Sequence, residues 1–153
     1  MPKSGNVTQD RRSGSQQLVN ELVNTRTNVL SLYSDLAAQH PFENKENIPD
    51  LLEEFCQALI DYTADAHFRL YRYIDEKRER RRSVMNIANQ VYPSIVSSTQ
   101  SILDFNDRYD ADKKDFDMTL MRLENDLSFL GETLADRIEL EDKVIDVMSE
   151  SRN

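Results

Sequence analysis

The scarcity of chain-breaking residues constrains the fold of this chain more than any other feature. Its 153 residues contain only 3 glycines and 4 prolines, so few positions favour a tight turn. The apolar residues recur at spacings of three and four, the period of an amphipathic helix, and no strand-like alternation interrupts them. The sequence therefore predicts an all-α fold: a helical bundle of about four principal long helices, one of them divided at Pro93.

The predicted helices belong to a single domain, because the chain has the length of about one domain. We expect a flexible N-terminal tail over residues 1–15, where no apolar period occurs, a helical-bundle domain over residues 16–149, and a C-terminal tail over residues 150–153. The first helix runs from Gln16 to about Ala38, before His40-Pro41. The second runs from Asp50, a suitable N-cap after Pro49, to about Lys77, and the last from about Phe116 to Met148.

Charge and cysteine content narrow the class of function. Asp and Glu outnumber Lys and Arg by 28 to 19, and this net charge of −9 disfavours direct contact with a nucleic-acid backbone. The single Cys56 allows no internal disulfide and no signal peptide is evident, so we expect a cytoplasmic location. Residues 83–103 carry no charge, but their many Ser, Asn and Gln side chains are too polar for lipid, so we expect buried helices and no membrane contact.

Metal and cofactor chemistry finds little support in the sequence. A di-iron bundle needs Glu-x-x-His on two helices, whereas Ala37 and Ala64 stand three residues before His40 and His67. Cys56 and two histidines do not supply a zinc site, and the three glycines lie too far apart for a phosphate loop. We therefore expect no catalytic residues, no metal and no cofactor, which disfavours an enzyme.

The second helix has an apolar stripe and an opposite face of unusual composition. On a wheel at 100° per residue the stripe occupies a sector of about 120°, so we expect its members in the core: Leu52, Phe55, Cys56, Leu59, Thr63, Ala66, His67, Leu70 and Ile74. The opposite face carries Glu54, Asp61, Asp65 and Phe68. An aromatic anchor with an acidic rim suits a basic amphipathic partner. A second buried side of a central helix, or one isolated exposed Phe, would give the same pattern.

The last helix places one carboxylate on its apolar face. Its stripe keeps spacings of three and four through Phe116, Leu120, Leu123, Leu127, Leu130, Leu134, Ile138, Ile145 and Met148. Glu141 falls on this stripe. A buried carboxylate is costly unless it is paired, so Glu141 needs a partner across the bundle. His67 and Arg137 are the candidate buried polar neighbours, and the sequence does not choose between them.

Several segments, in order, resemble one family of regulators. Residues 55–62 read Phe-Cys-Gln-Ala-Leu-Ile-Asp-Tyr and residues 67–71 read His-Phe-Arg-Leu-Tyr. Further segments of the resemblance are Tyr92–Ile95, Thr99, Phe105–Asp107, Gly131–Leu134 and Arg137–Ile145. Over roughly Leu18 to Met148 the chain resembles the Rsd/AlgQ proteins, bacterial regulators of sigma D that act as anti-sigma factors.

The resemblance implies a partner and a set of contact residues. It implies that a monomer binds the C-terminal, −35-recognising domain of the primary sigma factor in a 1:1 complex and limits its use by RNA polymerase. Asp61, Asp65, Phe68 and Arg72 are then the candidate sigma-binding residues. Asp65 and Arg72 depart from the family pattern, which has Ser-Ala-Gly before the histidine and Glu after the second tyrosine. The alternative is a bundle that binds another signalling protein or a small ligand.

Overall fold

Four long helices make up the part of the chain that the structure describes. In a computed structural model, which describes residues 3–42, 47–72, 82–109 and 116–150, no strand occurs within these ranges. The elements are α1 (Lys3–Ala37), α2 (Ile48–Asp65), a π-helical turn (Ala66–Tyr71), α3 (Arg82–Arg108) and α4 (Phe116–Glu150). The predicted all-α helical bundle is confirmed.

The four helices enclose one apolar core. α1 packs on α2 and α3 packs on α4, while contacts of α2 with α3 and of α1 with α4 complete the bundle. Nine buried residues of α4 follow one another in steps of three and four, the spacing of a heptad seam, and Ile145 is buried beside them: Leu120, Leu123, Leu127, Leu130, Leu134, Arg137, Glu141, Val144 and Met148. Arg137 takes the place on this seam that the sequence predicts for Ile138, which is only partly buried.

The N-terminal bounds of two helices differ from the prediction. α1 begins at Lys3 and not at Gln16. No proline follows Lys3 before that point, and an internal glycine weakens a helix by only about 1 kcal/mol without removing an N–H donor. α2 begins at Ile48, with Pro49 in its first turn, where a missing N–H is tolerated. Asp50 is therefore not the N-cap. It adds a negative charge to the first turn, where it interacts favourably with the helix dipole.

Pro93 does not divide α3, contrary to the prediction. α3 continues from Arg82 to Arg108 with Pro93 inside it. Proline removes the N–H that would bond to the carbonyl of Asn89, and both residues lie on the exposed side of the helix. Water can therefore donate a hydrogen bond to that carbonyl, and burial of the opposite side of α3 stabilises the helix through Pro93.

Gly131 permits a close contact between α1 and α4. The Tyr33 hydroxyl donates a hydrogen bond of 2.9 Å to the Leu127 carbonyl. A Cβ atom at Gly131 would overlap that same hydroxyl group. Gly131 weakens α4 locally, but the absence of its side chain allows Tyr33 to reach the Leu127 carbonyl.

Some of the predicted features lie outside the described residues. They are the core position Ile74, the end of the second helix near Lys77 and the last three residues of the C-terminal tail.

Candidate functional site

The outer face of α2 and the π-helical turn, defined by Asp61, Asp65, Phe68 and Arg72, holds the candidate binding residues. Asp61, Phe68 and Arg72 are exposed and Asp65 is partly buried. The Phe68 ring is 59% exposed, and Ile60 adds a second exposed apolar side chain. Gln57 Nε2 donates a hydrogen bond of 3.1 Å to Asp61 Oδ1, which orients this carboxylate. The outer face thus combines an apolar anchor with oriented negative charge, a pattern suited to a protein partner.

His67 is exposed, so its predicted place among the buried polar residues is wrong. Its ring contacts the Phe68 ring edge-on, with centroids 4.9 Å apart. On a wheel at 100° per residue His67 lies about 140° from the buried Tyr62 and about 100° from the buried Ala66, so the inner face of the helix excludes it. It belongs to a π-helical turn, in which the Arg72 N–H bonds to the His67 carbonyl five residues earlier and which accommodates one more residue than an α-helical turn. The buried stripe continues from Ala66 to Leu70 and Tyr71.

Beneath the outer face, Glu141 lies at the centre of a buried polar cluster. Arg137 is 1% exposed and Glu141 is fully buried. Arg137 Nε donates to Glu141 Oε2 at 3.2 Å and to the Tyr62 hydroxyl oxygen at 2.9 Å. The Tyr62 hydroxyl donates to Glu141 Oε1 at 2.6 Å, and the Tyr71 hydroxyl reaches Oε2 at 3.5 Å. Arg137, and not His67, is the neighbour of Glu141.

The same cluster extends to α1 and α3. The Arg137 guanidinium donates through one terminal nitrogen to the Ile95 carbonyl at 3.2 Å, to Ser98 Oγ at 3.0 Å and to Thr99 Oγ1. From α1, a guanidinium nitrogen of Arg26 lies 3.6 Å from Glu141 Oε1 and 2.9 Å from Asp142 Oδ1. The polar cluster therefore links α1, α2, α3, α4 and the π-helical turn, which fixes their mutual positions.

Burial and charge keep the tyrosines of the cluster protonated. Burial, followed by the charge of Glu141, raises the pKa of Tyr62 well above its ordinary value, and the pKa of Tyr71 rises for the same reasons. Burial alone would lower the pKa of Arg137, but Tyr62, Glu141 and Tyr71 outweigh it, so this pKa is raised. Both phenols thus remain hydrogen-bond donors and Arg137 remains a cation throughout the physiological range.

Sequence reasoning missed several members of the polar cluster. Tyr62 stands next to Asp61, and a tyrosine within a core helix is a signal for a buried hydroxyl that needs a partner. Ser98 and Thr99 belong to the uncharged but polar stretch of α3. Hydroxyl groups in a stretch that carries no charged side chains indicate acceptors for a buried donor. No comparable signal in the sequence indicates that Tyr71 is buried, because its burial depends on the π-helical turn.

The described ranges hold neither a cluster of metal ligands nor a membrane-spanning helix. Within them no group of three or more His, Cys, Asp or Glu side chains is arranged to hold a metal ion. Of the helices that the structure describes, none is both long enough and apolar enough to span a bilayer.

Comparison with known proteins relates this chain to one family of regulators. The family model described as regulator of RNA polymerase sigma(70) subunit, Rsd/AlgQ, matches residues 1–149. A regulator of sigma D from Enterobacter sp. (strain 638) is 34% identical over 140 residues, which cover 89% of this chain and 82% of that protein. The regulator of sigma D from Yersinia enterocolitica is 33% identical over 144 residues, 92% of this chain and 86% of its own.

A third regulator of sigma D, from Salmonella arizonae, is 34% identical over 140 residues, 89% of this chain and 84% of its own. No solved structure matches the chain. The family match covers nearly the whole sequence and includes the helices that carry the outer face and the polar cluster. The chain therefore belongs to the Rsd/AlgQ family of regulators of the RNA polymerase sigma(70) subunit.

Proposed function

We propose that this protein is an anti-sigma factor that binds the C-terminal, −35-recognising domain of the primary sigma factor and limits its use by RNA polymerase. Membership of the Rsd/AlgQ family supports a role in sigma regulation. The proposed complex contains one copy of each protein and no nucleic acid, and it forms in the cytoplasm, where transcription takes place.

The observation that carries this proposal is the 59% exposed ring of Phe68 beside the exposed carboxylate of Asp61. A helix-turn-helix domain that holds promoter DNA presents Lys and Arg side chains to the phosphates. A protein with a net charge of −9 attracts such a domain over a distance, which raises the association rate. Once the two are in contact, Phe68 fills an apolar pocket and Asp61 pairs with a cation at its rim.

The regulatory effect follows from occupancy. The outer face covers the basic surface of the bound sigma domain. That surface can then no longer contact promoter DNA or core polymerase. Each bound copy removes one sigma molecule from the active pool, so the reduction depends on the concentration of this protein relative to the dissociation constant. Other sigma factors then compete more successfully for core polymerase.

Phe68→Ala is expected to weaken binding of the isolated sigma C-terminal domain by about thirtyfold or more, equivalent to about 2 kcal/mol. The loss should persist at high salt, because it comes from apolar burial. Titration calorimetry at two salt concentrations measures it. Phe129→Ala is the matched control, since Phe129 is 62% exposed but lies on α4. If Phe68→Ala remains folded and binds as tightly as the parent, the outer face is not the binding surface.

Asp61→Asn should weaken binding several-fold at low salt, with the defect shrinking as salt rises. The Debye length falls from about 30 Å at 0.01 M to about 10 Å at 0.1 M, so an exposed pair loses much of its attraction. Asp104→Asn is a close control, because Gln100 Nε2 bonds to Asp104 Oδ1 at 2.9 Å just as Gln57 bonds to Asp61, but on α3. Equal defects in both variants would show an effect of net charge alone and exclude a specific role for Asp61.

A further inference from the structure

Two tyrosines on either side of the π-helical turn reach the same carboxylate. Tyr62 and Tyr71 are nine residues apart, which in an uninterrupted α-helix places them about 180° apart on the wheel. In the structure both are buried, and their hydroxyls reach Oε1 and Oε2 of Glu141. The extra residue of the π-helical turn reduces this rotation to about 80°. The turn is therefore what allows both hydroxyls to meet Glu141.

We propose that Glu141 is a positioning residue: by holding the hydroxyls of Tyr62 and Tyr71 together, it keeps the intervening turn π-helical and so sets the orientation of Phe68 and Arg72 on the outer face. This inference rests on the proposed function for its biological meaning, although the positioning itself is independent of sigma.

A π-helical turn needs tertiary contacts to persist. π-helical segments are rare, occur mostly as single turns inside α-helices and are frequent at functional sites. Here Glu141 is held in place by Arg137 within α4 at 3.2 Å and by Arg26 from α1 at 3.6 Å. The carboxylate is thus fixed by residues of α1 and α4, and the two tyrosines of α2 and the π-helical turn adjust to it. The burial of Ala66 and Leu70 on the inner side completes the anchoring of the turn.

The turn changes the shape of the outer face. In an uninterrupted α-helix Asp61 and Arg72, eleven residues apart, would lie within about 20° of each other on one line. With one extra residue Arg72 is displaced by about 100° around the helix, and Phe68 lies within the displaced segment. Phe68 and the charged side chains of Asp61 and Arg72 then form a broad triangle instead of a narrow ridge. The surface of a partner must be complementary to that triangle.

The positioning can be measured without sigma. With 4-fluorophenylalanine at position 68, the ¹⁹F resonance reports the surroundings of this ring. We expect Tyr71→Phe to shift that resonance, because without the hydroxyl contact with Glu141 the turn relaxes toward an α-helix and the surroundings of Phe68 change. Tyr92→Phe is the control, because Tyr92 also loses a hydroxyl and its ring lies 6.3 Å from that of Tyr71, but it is exposed. A resonance that Tyr71→Phe leaves unchanged overturns the proposal.

Tyr71→Phe also tests the consequence for binding. Without the hydroxyl contact with Glu141 the turn relaxes toward an α-helix, which rotates Arg72 by about 100° toward the line of Asp61. The affinity of this variant for the sigma C-terminal domain should fall at least tenfold, whereas Tyr92→Phe should bind as the parent does. Parental affinity in a folded Tyr71→Phe variant would contradict the proposal.

Phe68→Ala, titrated in parallel, separates the two proposals. If Phe68→Ala weakens sigma binding but a folded Tyr71→Phe variant does not, the positioning inference fails and the proposed function stands. If neither change affects binding, the outer face is not the sigma surface. The ¹⁹F comparison of Tyr71→Phe with Tyr92→Phe then decides the positioning inference by itself.

Discussion

Glu141→Ala is expected to lower the free energy of unfolding by about 3–5 kcal/mol. The substitution leaves the guanidinium of Arg137 buried at 1% exposure without its carboxylate. It also removes the acceptor of the 2.6 Å hydrogen bond from Tyr62 and of the contact from Tyr71. Breaking one side of a buried ion pair costs far more than losing an exposed one, because the remaining charge has no water to replace its partner.

Urea unfolding followed by circular dichroism measures this loss. Glu139→Ala is a suitable control, since Glu139 is an exposed glutamate on the same helix and should change stability by less than about 0.5 kcal/mol. In the double variant with Arg137→Ala the two losses should not add, because each residue depends on the other. A Glu141→Ala variant as stable as Glu139→Ala would show that the polar cluster contributes nothing to folding.

The pairing of Glu141 with Arg137 illustrates what the sequence can establish. α4 keeps its apolar spacing over nearly its whole length, so its inner face follows from periodicity, and a carboxylate on that face requires a partner. Arg137 lies four residues earlier, within reach along the same helix, and the two side chains do form a pair at 3.2 Å. These features depend on spacing within one helix, which a wheel represents well.

Features that depend on contacts distant in sequence could not be predicted in this way. A wheel assumes constant rotation per residue, whereas the π-helical turn adds one residue, and the contact of Tyr62 with Glu141 spans 79 positions. The burial of Tyr71 follows from that addition. Pro93 shows the reverse case: a local rule predicts a break, but the exposure of the proline and the buried side of α3 preserve the helix.

The folded state should lose stability steeply above pH 10. Burial raises the pKa of Tyr62 and Tyr71 from an ordinary value of 10.0, with Glu141 adding to the shift. Above that pH the unfolded chain releases the phenolic protons while the folded protein retains them, so the unfolded state is favoured. Each of the two hydroxyls then removes about 1.4 kcal/mol per pH unit, or about 3 kcal/mol together by pH 11, whereas stability from this source is complete below pH 10.

Urea unfolding at several pH values from 9 to about 11 gives the slope of stability against pH. Tyr62→Phe removes one of the two protons, so its slope should be shallower than that of the parent by about 1.4 kcal/mol per pH unit, although its stability at neutral pH is lower. A Tyr62→Phe slope equal to that of the parent would mean that the Tyr62 hydroxyl ionises as readily in the folded protein as in the unfolded chain. The buried contact with Glu141 would then not exist in solution.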